Sequence, residues 1–174
     1  FNSHFPFSDA YQVAEACCDN AKKRAKEPEN RGNDNAIGNF FDFQICTNVR
    51  AANLDSYREK HYVSGTDCFI ARPYYVVPKT DRHGLDAVNE KYSVAHLDKW
   101  SEQFGKTKMP RSKAKQLRNA IPVKNKREEV VSFLASRAYP VFKERSEEYA
   151  LWYDALEIMD FNIGLEDATV QSQK

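Results

Sequence analysis

His4-Phe5-Pro6-Phe7-Ser8-Asp9-Ala10-Tyr11, running on to Lys26 and followed by Phe40-Phe41-Asp42-Phe43-Gln44-Ile45, reads as a helix, a loop and a buried strand. Ser8 suits an N-cap, and Asp9 puts negative charge in the first turn, where the positive end of the helix dipole favours it. Ala10, Val13, Ala14, Cys17, Ala21 and Ala25 recur at the three-to-four spacing of one helix face, small and apolar enough to lie close on a sheet. Lys22, Lys23, Arg24 and Lys26 bring cations to the C-terminal end, and Pro28 stops the helix at about Lys26. At 1.5 Å per residue, Asp9 to Lys26 spans about 27 Å, enough to cross a sheet.

Ahead of the helix, Phe5 and Phe7 alternate around Pro6, which predicts the end of an edge strand over the first seven residues. His4 reads there as core or surface filler, with a nucleotide contact as the other option. After the helix, Gly32 and the Asn and Asp residues of 29–35 favour turns, and Ile37 to Cys46 is rich in strand-forming aromatic and β-branched residues. The unit is α then β.

With 174 residues, 41% of them apolar and 13% aromatic, the chain can fill a core of its own. A net charge of +1 demands neither nucleic acid nor membrane nor an acidic substrate. Charge is unevenly spread, however: Lys106 to Arg127 holds nine Lys or Arg and no acid, and Glu144 to Asp167 holds eight acids against the single cation Arg145. These are either solvated helix faces that complement each other within one bundle, or a basic surface for RNA or a partner. Cys17, Cys18, Cys46 and Cys68 form neither a Cys-x-x-Cys pair nor a spaced half-cystine framework, and no signal peptide is visible, so a reduced, cytoplasmic protein is expected. His4, His61, His83 and His96 are too scattered for a zinc site, and no apolar run reaches the roughly 18 residues that span a membrane.

Residues 47–64 show no clear period. Ser64-Gly65-Thr66-Asp67 signals a turn before Cys68-Phe69-Ile70-Ala71 and Tyr74-Tyr75-Val76-Val77, which read as one strand interrupted at Pro73. Pro78 to Gly84 is the candidate boundary, dividing residues 1–78 from residues 79–174. Beyond it the period becomes helical. Val94, Leu97, Trp100 and Phe104 form a stripe capped by Ser93 and closed by Gly105. Pro110 opens a basic helix carrying Ala114, Leu117, Ala120 and Ile121, which Pro122 ends. Val130, Phe133, Leu134 and Ala138 mark a third helix, and Tyr149, Trp152, Tyr153, Leu156, Met159 and Ile163 a fourth. Four amphipathic helices with short connections predict a small antiparallel bundle with Trp100 and Trp152 in its core. The fold class is α+β.

His-Phe-Pro-Phe-Ser-Asp-Ala-Tyr at residues 4–11, Ala14-Glu15, Ala21-Lys22-Lys23 and Phe41-Asp42-Phe43 resemble the last helix and strand of the catalytic palm in the large subunit of type III CRISPR effector complexes. Ala71-Arg72-Pro73-Tyr74, Met109-Pro110-Arg111-Ser112-Lys113-Ala114-Lys115-Gln116-Leu117-Arg118 and Asp154-Ala155-Leu156-Glu157-Ile158-Met159-Asp160 resemble the C-terminal region of the same subunit, in family order. The resemblance implies a ferredoxin-like palm, related to diguanylate cyclases, that binds ATP and Mg²⁺ at a Gly-Gly-Asp-Asp hairpin and makes cyclic oligoadenylate in antiviral defence. It also implies other effector subunits, crRNA and target RNA as partners. No Gly-Gly-Asp-Asp and no Asp-Asp pair exists in the chain, so that hairpin is expected upstream of Phe1; a first residue other than Met fits a fragment or a processed product.

In such palms a Lys after Ala on the last helix points toward nucleotide phosphates, which makes Lys22, with Lys23 beside it, the nucleotide-binding candidate; an ordinary solvated helix end is the other reading. The chain departs after that Lys from the Ala-Lys-x-x-Gly-Arg-Asn pattern of diguanylate cyclases, which disfavours guanine-cyclase chemistry. Arg111, Lys113, Lys115 and Arg118 are the candidates for RNA or partner binding, with 111, 115 and 118 sharing a face opposite Ala114, Leu117 and Ile121. Two-metal catalysis needs carboxylates converging on ions roughly 3.5–4 Å apart. Asp42 stands alone on its strand, while Asp154, Glu157 and Asp160 share a helix face where charge balance is the simpler account. Without a Ser-His-Asp or Cys-His arrangement, neither catalytic residues nor metal ligands are expected in this chain.

Overall fold

Helix α1, Phe7–Lys26, buries Val13, Cys17, Ala21 and Ala25, the stripe its spacing dictates. Its start corrects the sequence expectation: Pro6 occupies the N-cap and Ser8 lies within the first turn, so Phe7 belongs to a helix and not to a strand end. Proline suits that place because its missing N–H is one the helix start leaves unbonded anyway. The computed structural model describes residues 6–46, 53–78, 80–81, 83–106, 109–137 and 148–162; His4 and Phe5 lie outside them.

The chain forms two compact units, residues 1–63 with 71–96, and residues 64–70 with 97–174. In the first, two short turns at Pro28–Asn30 and Asn33–Asn35 carry the chain from α1 to strand β1, Phe40–Phe41. Far less of Ile37–Cys46 is strand than the composition suggests, because only this dipeptide finds a ladder. A nine-residue helix that the sequence did not announce, α2, Leu54–Tyr62, follows, with Asn53 capping the Ser56 N–H through its side chain. Residues 68–77 are not one interrupted strand. Val63–Ser64 (β2) pairs with Asp67–Cys68 (β3) across the Gly65 turn, a hairpin that leads into the 64–70 segment of the second unit; back in the first, Tyr74–Tyr75 (β4), after a cis Arg72–Pro73 peptide, pairs antiparallel with β1, Phe40 facing Tyr75 and Phe41 facing Tyr74. The turn needs Gly65, whose φ is 64°. Helix α3, Leu85–Asn89, completes the unit; Asn89 donates to the Asn30 carbonyl, and the Tyr75 hydroxyl donates to Asp86.

Helix α4, Val94–Lys106, begins in the first unit, where the Ser93 hydroxyl accepts the His96 N–H, and runs on into the second. Gly105 does not close it, because the helix continues to Lys106. Three more helices build the second unit: α5, Arg111–Ala120; α6, Lys124–Ser136; and α7, Tyr149–Asn162. Pro110 caps α5, which ends before Pro122. In α6 Leu134 is buried as expected, joined by Val131, whereas Val130 is half-buried and Phe133 is 39% exposed. Ala138 and Ile163 lie outside the described residues. Trp152 is the centre of this core, 5.4 Å from the ring of Trp100 and 6.3 Å from that of Phe104. Helix α7 departs from an amphipathic pattern: Leu151, Trp152, Asp154, Ala155, Leu156 and Glu157 are all buried. Asp154 and Glu157 therefore lie inside the unit and not on a solvated face. Overall the fold is mixed α+β, with seven α-helices and two small two-stranded sheets among the described residues.

Candidate functional site

The face of α1 that meets β1 forms one wall of a groove of about 540 Å³, the other wall being Ile37 to Gln44. Lining residues on the helix include Ala10, Ala14, Cys18, Lys22 and Lys26. Small side chains let the strand approach closely, and Gly38 extends this: a Cβ there would stand 2.7 Å from the ring of Tyr75. The structure separates the two expected nucleotide-binding cations. Lys22 lines this groove, whereas Lys23 lines a second, more polar hollow with Asp19, Asn20, Asn53 and Asp55. Lys22 is exposed and bonded to Asp19 at 3.2 Å, a contact that holds its ammonium pKa above the ordinary lysine value.

Behind the groove lies a charged cluster that spacing alone did not reveal. Asp42, expected to stand alone, has a side chain with no exposed surface and takes both prongs of the Arg58 guanidinium at 2.9 Å, Nη1 to Oδ2 and Nη2 to Oδ1; it also accepts the Phe43 N–H at 2.8 Å. Arg58 comes from α2, so the signal was hidden in the stretch without period: Leu54, Arg58 and Tyr62 fall four apart on one helix face, with both end members buried. Arg72 reaches the same point from the Arg-Pro-Tyr segment, its guanidinium 4.3 Å from the Phe43 ring centre and 5.0 Å from that of Tyr62. The Phe43 carbonyl accepts from both arginines, at 2.8 Å from Arg58 and 3.0 Å from Arg72. A carboxylate so engaged is a positioning device, tying α2 to the strand, and is not free to hold a metal. Cys17 lies beside it, and burial, with Asp42 second, pushes its thiol up to about 11. Among the described residues no group of three or more His, Cys, Asp or Glu is arranged to hold a metal ion.

In the second unit, α5 buries Ala114, Leu117 and Ala120 and exposes Arg111 and Lys115, while Lys113 and Arg118 are half-buried. Lys113 donates to Gln116 at 3.1 Å and stands 5.1 Å from the ring centre of Phe133. Arg111 and Lys115 are thus the outward pair of the four. Arg127 is turned inward, 4.4 Å from the Tyr149 ring centre, with Asp67 at 4.0 Å.

Set beside protein-family models, curated proteins and solved structures, the chain matches none. No helix among the described residues is long and apolar enough to cross a membrane.

Proposed function

We propose that the chain is the C-terminal portion of a palm nucleotidyltransferase similar to the large subunit of type III CRISPR effector complexes, which makes cyclic oligoadenylate from ATP with Mg²⁺ in antiviral defence. In this reading α1 is the last helix of a ferredoxin-like palm, β1 its following strand, and α4 to α7 the helical C-terminal domain. The acidic hairpin that binds the metals belongs to a segment outside this chain. One observation supports it above the others: Lys22 lines the apolar groove between α1 and β1, where its ammonium can meet phosphate, and Lys23 does not. Fluorescent N-methylanthraniloyl-ATP titrated into the chain with Mg²⁺ tests the placement. Lys22→Glu should weaken binding at least tenfold and Lys23→Glu less than twofold; equal effects would remove the groove from the argument. Mass spectrometry of the products that a protein containing the acidic hairpin forms from ATP tests the chemistry.

A second reading, a non-catalytic module that docks on other effector subunits or on a crRNA–target RNA duplex, is favoured by the outward Arg111 and Lys115 on α5. Phosphate contacts should make RNA affinity fall with salt at a double-logarithmic slope of about 0.7 to 0.9 per phosphate neutralised. Absence of binding at low salt would leave only the subunit-docking form.

A further inference from the structure

Helices α5 and α6 run antiparallel. Arg127, in the second turn of α6, donates to the Ile121 carbonyl where α5 ends, and Phe133, near the other end of α6, meets Lys113 in the first turn of α5. Two cations address the Phe133 ring, the Lys113 ammonium at 5.1 Å from its centre and the Arg137 guanidinium at 5.4 Å, yet the ring stays 39% exposed. The other charges of this hairpin do not serve its own helices. Lys124 and Lys126 open α6 and Lys113 lies in the first turn of α5, the end at which the helix dipole disfavours a cation, and neither first turn holds an acid. Lys115, Lys124, Lys126 and Arg137 are exposed and form no ion pair among the described residues. Lys126, Phe133 and Arg137 stand at i, i+7 and i+11, one face of α6 about 16 Å long, on which Glu129, four residues before Phe133, is the acid nearest the ring along the helix.

We infer that the α5–α6 hairpin binds single-stranded nucleic acid, a base stacking on the exposed surface of Phe133 and Arg137 while Lys113 and Lys126 meet the phosphates on either side. The unpaired cations call for a polyanion, and the ring with its guanidinium calls for a flat, weakly polar partner beside that anion. A single strand supplies both at every nucleotide. A duplex keeps the faces of its bases inside the stack, and an acidic peptide would answer the ammonium groups but leave the Phe133 ring unused. The inference rests on the RNA form of the second reading above and deepens it, adding α6 to the surface and replacing the duplex by a single strand.

Fluorescein-labelled deca-uridylate and deca-thymidylate, titrated by anisotropy into the full chain at about 50 mM salt, test it. Saturable binding of either is expected, the tighter of the two naming the sugar of the strand, and an RNA duplex of the same length should bind at least tenfold more weakly. Phe133→Leu, which keeps an apolar side chain and removes the ring, should weaken binding at least fivefold, and Arg137→Lys, which keeps the charge and removes the plane, at least threefold. Melting curves of both variants should match the parent within a few degrees, Arg137→Lys standing as the measure at an exposed position should Phe133→Leu be less stable. Lys126→Gln should lower the salt slope by about 0.7, and Glu129→Gln should strengthen binding. Equal affinity in both Phe133→Leu and Arg137→Lys would overturn the inference, as would displacement of the decamer by an equal concentration of deca-glutamate, which would assign the surface to an acidic peptide. A duplex that binds through Arg111 and Lys115 without regard to Phe133 would overturn it and leave the second reading standing, whereas no binding of any nucleic acid would remove the inference and the RNA form of that reading together.

Discussion

Replacing Arg58 by Met removes the guanidinium from Asp42 while keeping much of the side chain's bulk. The carboxylate has no exposed surface and the arginine side chain is 12% exposed, so the variant buries an anion whose main remaining contact is the Phe43 N–H. Breaking a buried pair from one side costs about 3–5 kcal/mol, a large share of the ~5–15 kcal/mol that keeps a domain folded. With a urea m-value of about 2–3 kcal/mol/M, the unfolding midpoint followed by circular dichroism at 222 nm should drop by about 1–2.5 M. Lys22→Met, which breaks the exposed pair with Asp19, should not move it measurably. Pairing Arg58→Met with Asp42→Leu should recover part of the loss, because two apolar residues need no mutual compensation. A loss below about 1 kcal/mol for Arg58→Met, the size typical of surface pairs, would refute the buried cluster.

Cys17 should resist iodoacetamide at pH 8 under conditions that alkylate the exposed Cys18 and Cys68, as peptide mass spectrometry will read; equal rates would contradict its burial. Its thiol stays protonated in the folded chain up to about 11, against 9.0 for the ordinary group, so the unfolded chain loses its proton first and Cys17 makes stability fall between those pH values. Asp81 accepts the N–H groups of Asp86, Leu85 and His83, the first of which does most to hold its carboxyl below the usual range. Its contribution is present above the unfolded carboxyl pKa of about 3.9 and lost as pH falls through the lower folded value, so the melting temperatures of wild type and Asp81→Asn should converge on acidification below pH ~4. Reversing Arg111 and Lys115 to Glu should leave stability within about 0.5 kcal/mol by thermal melting while weakening binding to RNA or subunits; adding Arg118→Glu should lower the melting temperature, because that side chain is half-buried.

Helix α1 was legible because a repeating apolar stripe and a terminal proline are local signals, and α5 was legible between Pro110 and Pro122 for the same reason. Helix α2 was not, since what it buries between Leu54 and Tyr62 is an arginine, whose partner Asp42 is 16 residues away in sequence. Residues 68–77 read as one strand because composition records strand propensity and not the partner; β3 pairs locally with β2 whereas β4 reaches back to β1. Helix α7 carried the most misleading pattern. Its acids look like an outer face, yet Asp154 and Glu157 are buried, which only the packing around the helix could disclose. At the candidate site, Lys22 and Lys23 were legible as a pair but not as two residues on different hollows, and Arg58 and Arg72 joined the site only through tertiary contact.

Burial of α7 on nearly every side also sets an order of events during synthesis. Trp152 lies against Trp100 and Phe104, whose helix is translated some fifty residues earlier. Until Tyr149 to Leu156 leave the ribosome, Trp100 and Phe104 lack the Trp152 ring they pack against, and α5 has only α6 of its two helical neighbours, an exposure that at about 5–20 residues per second lasts for seconds. A nascent chain stalled ahead of Tyr149 should therefore be a preferred client of chaperones that recognise apolar surface, and release of the α7 segment should end that recognition.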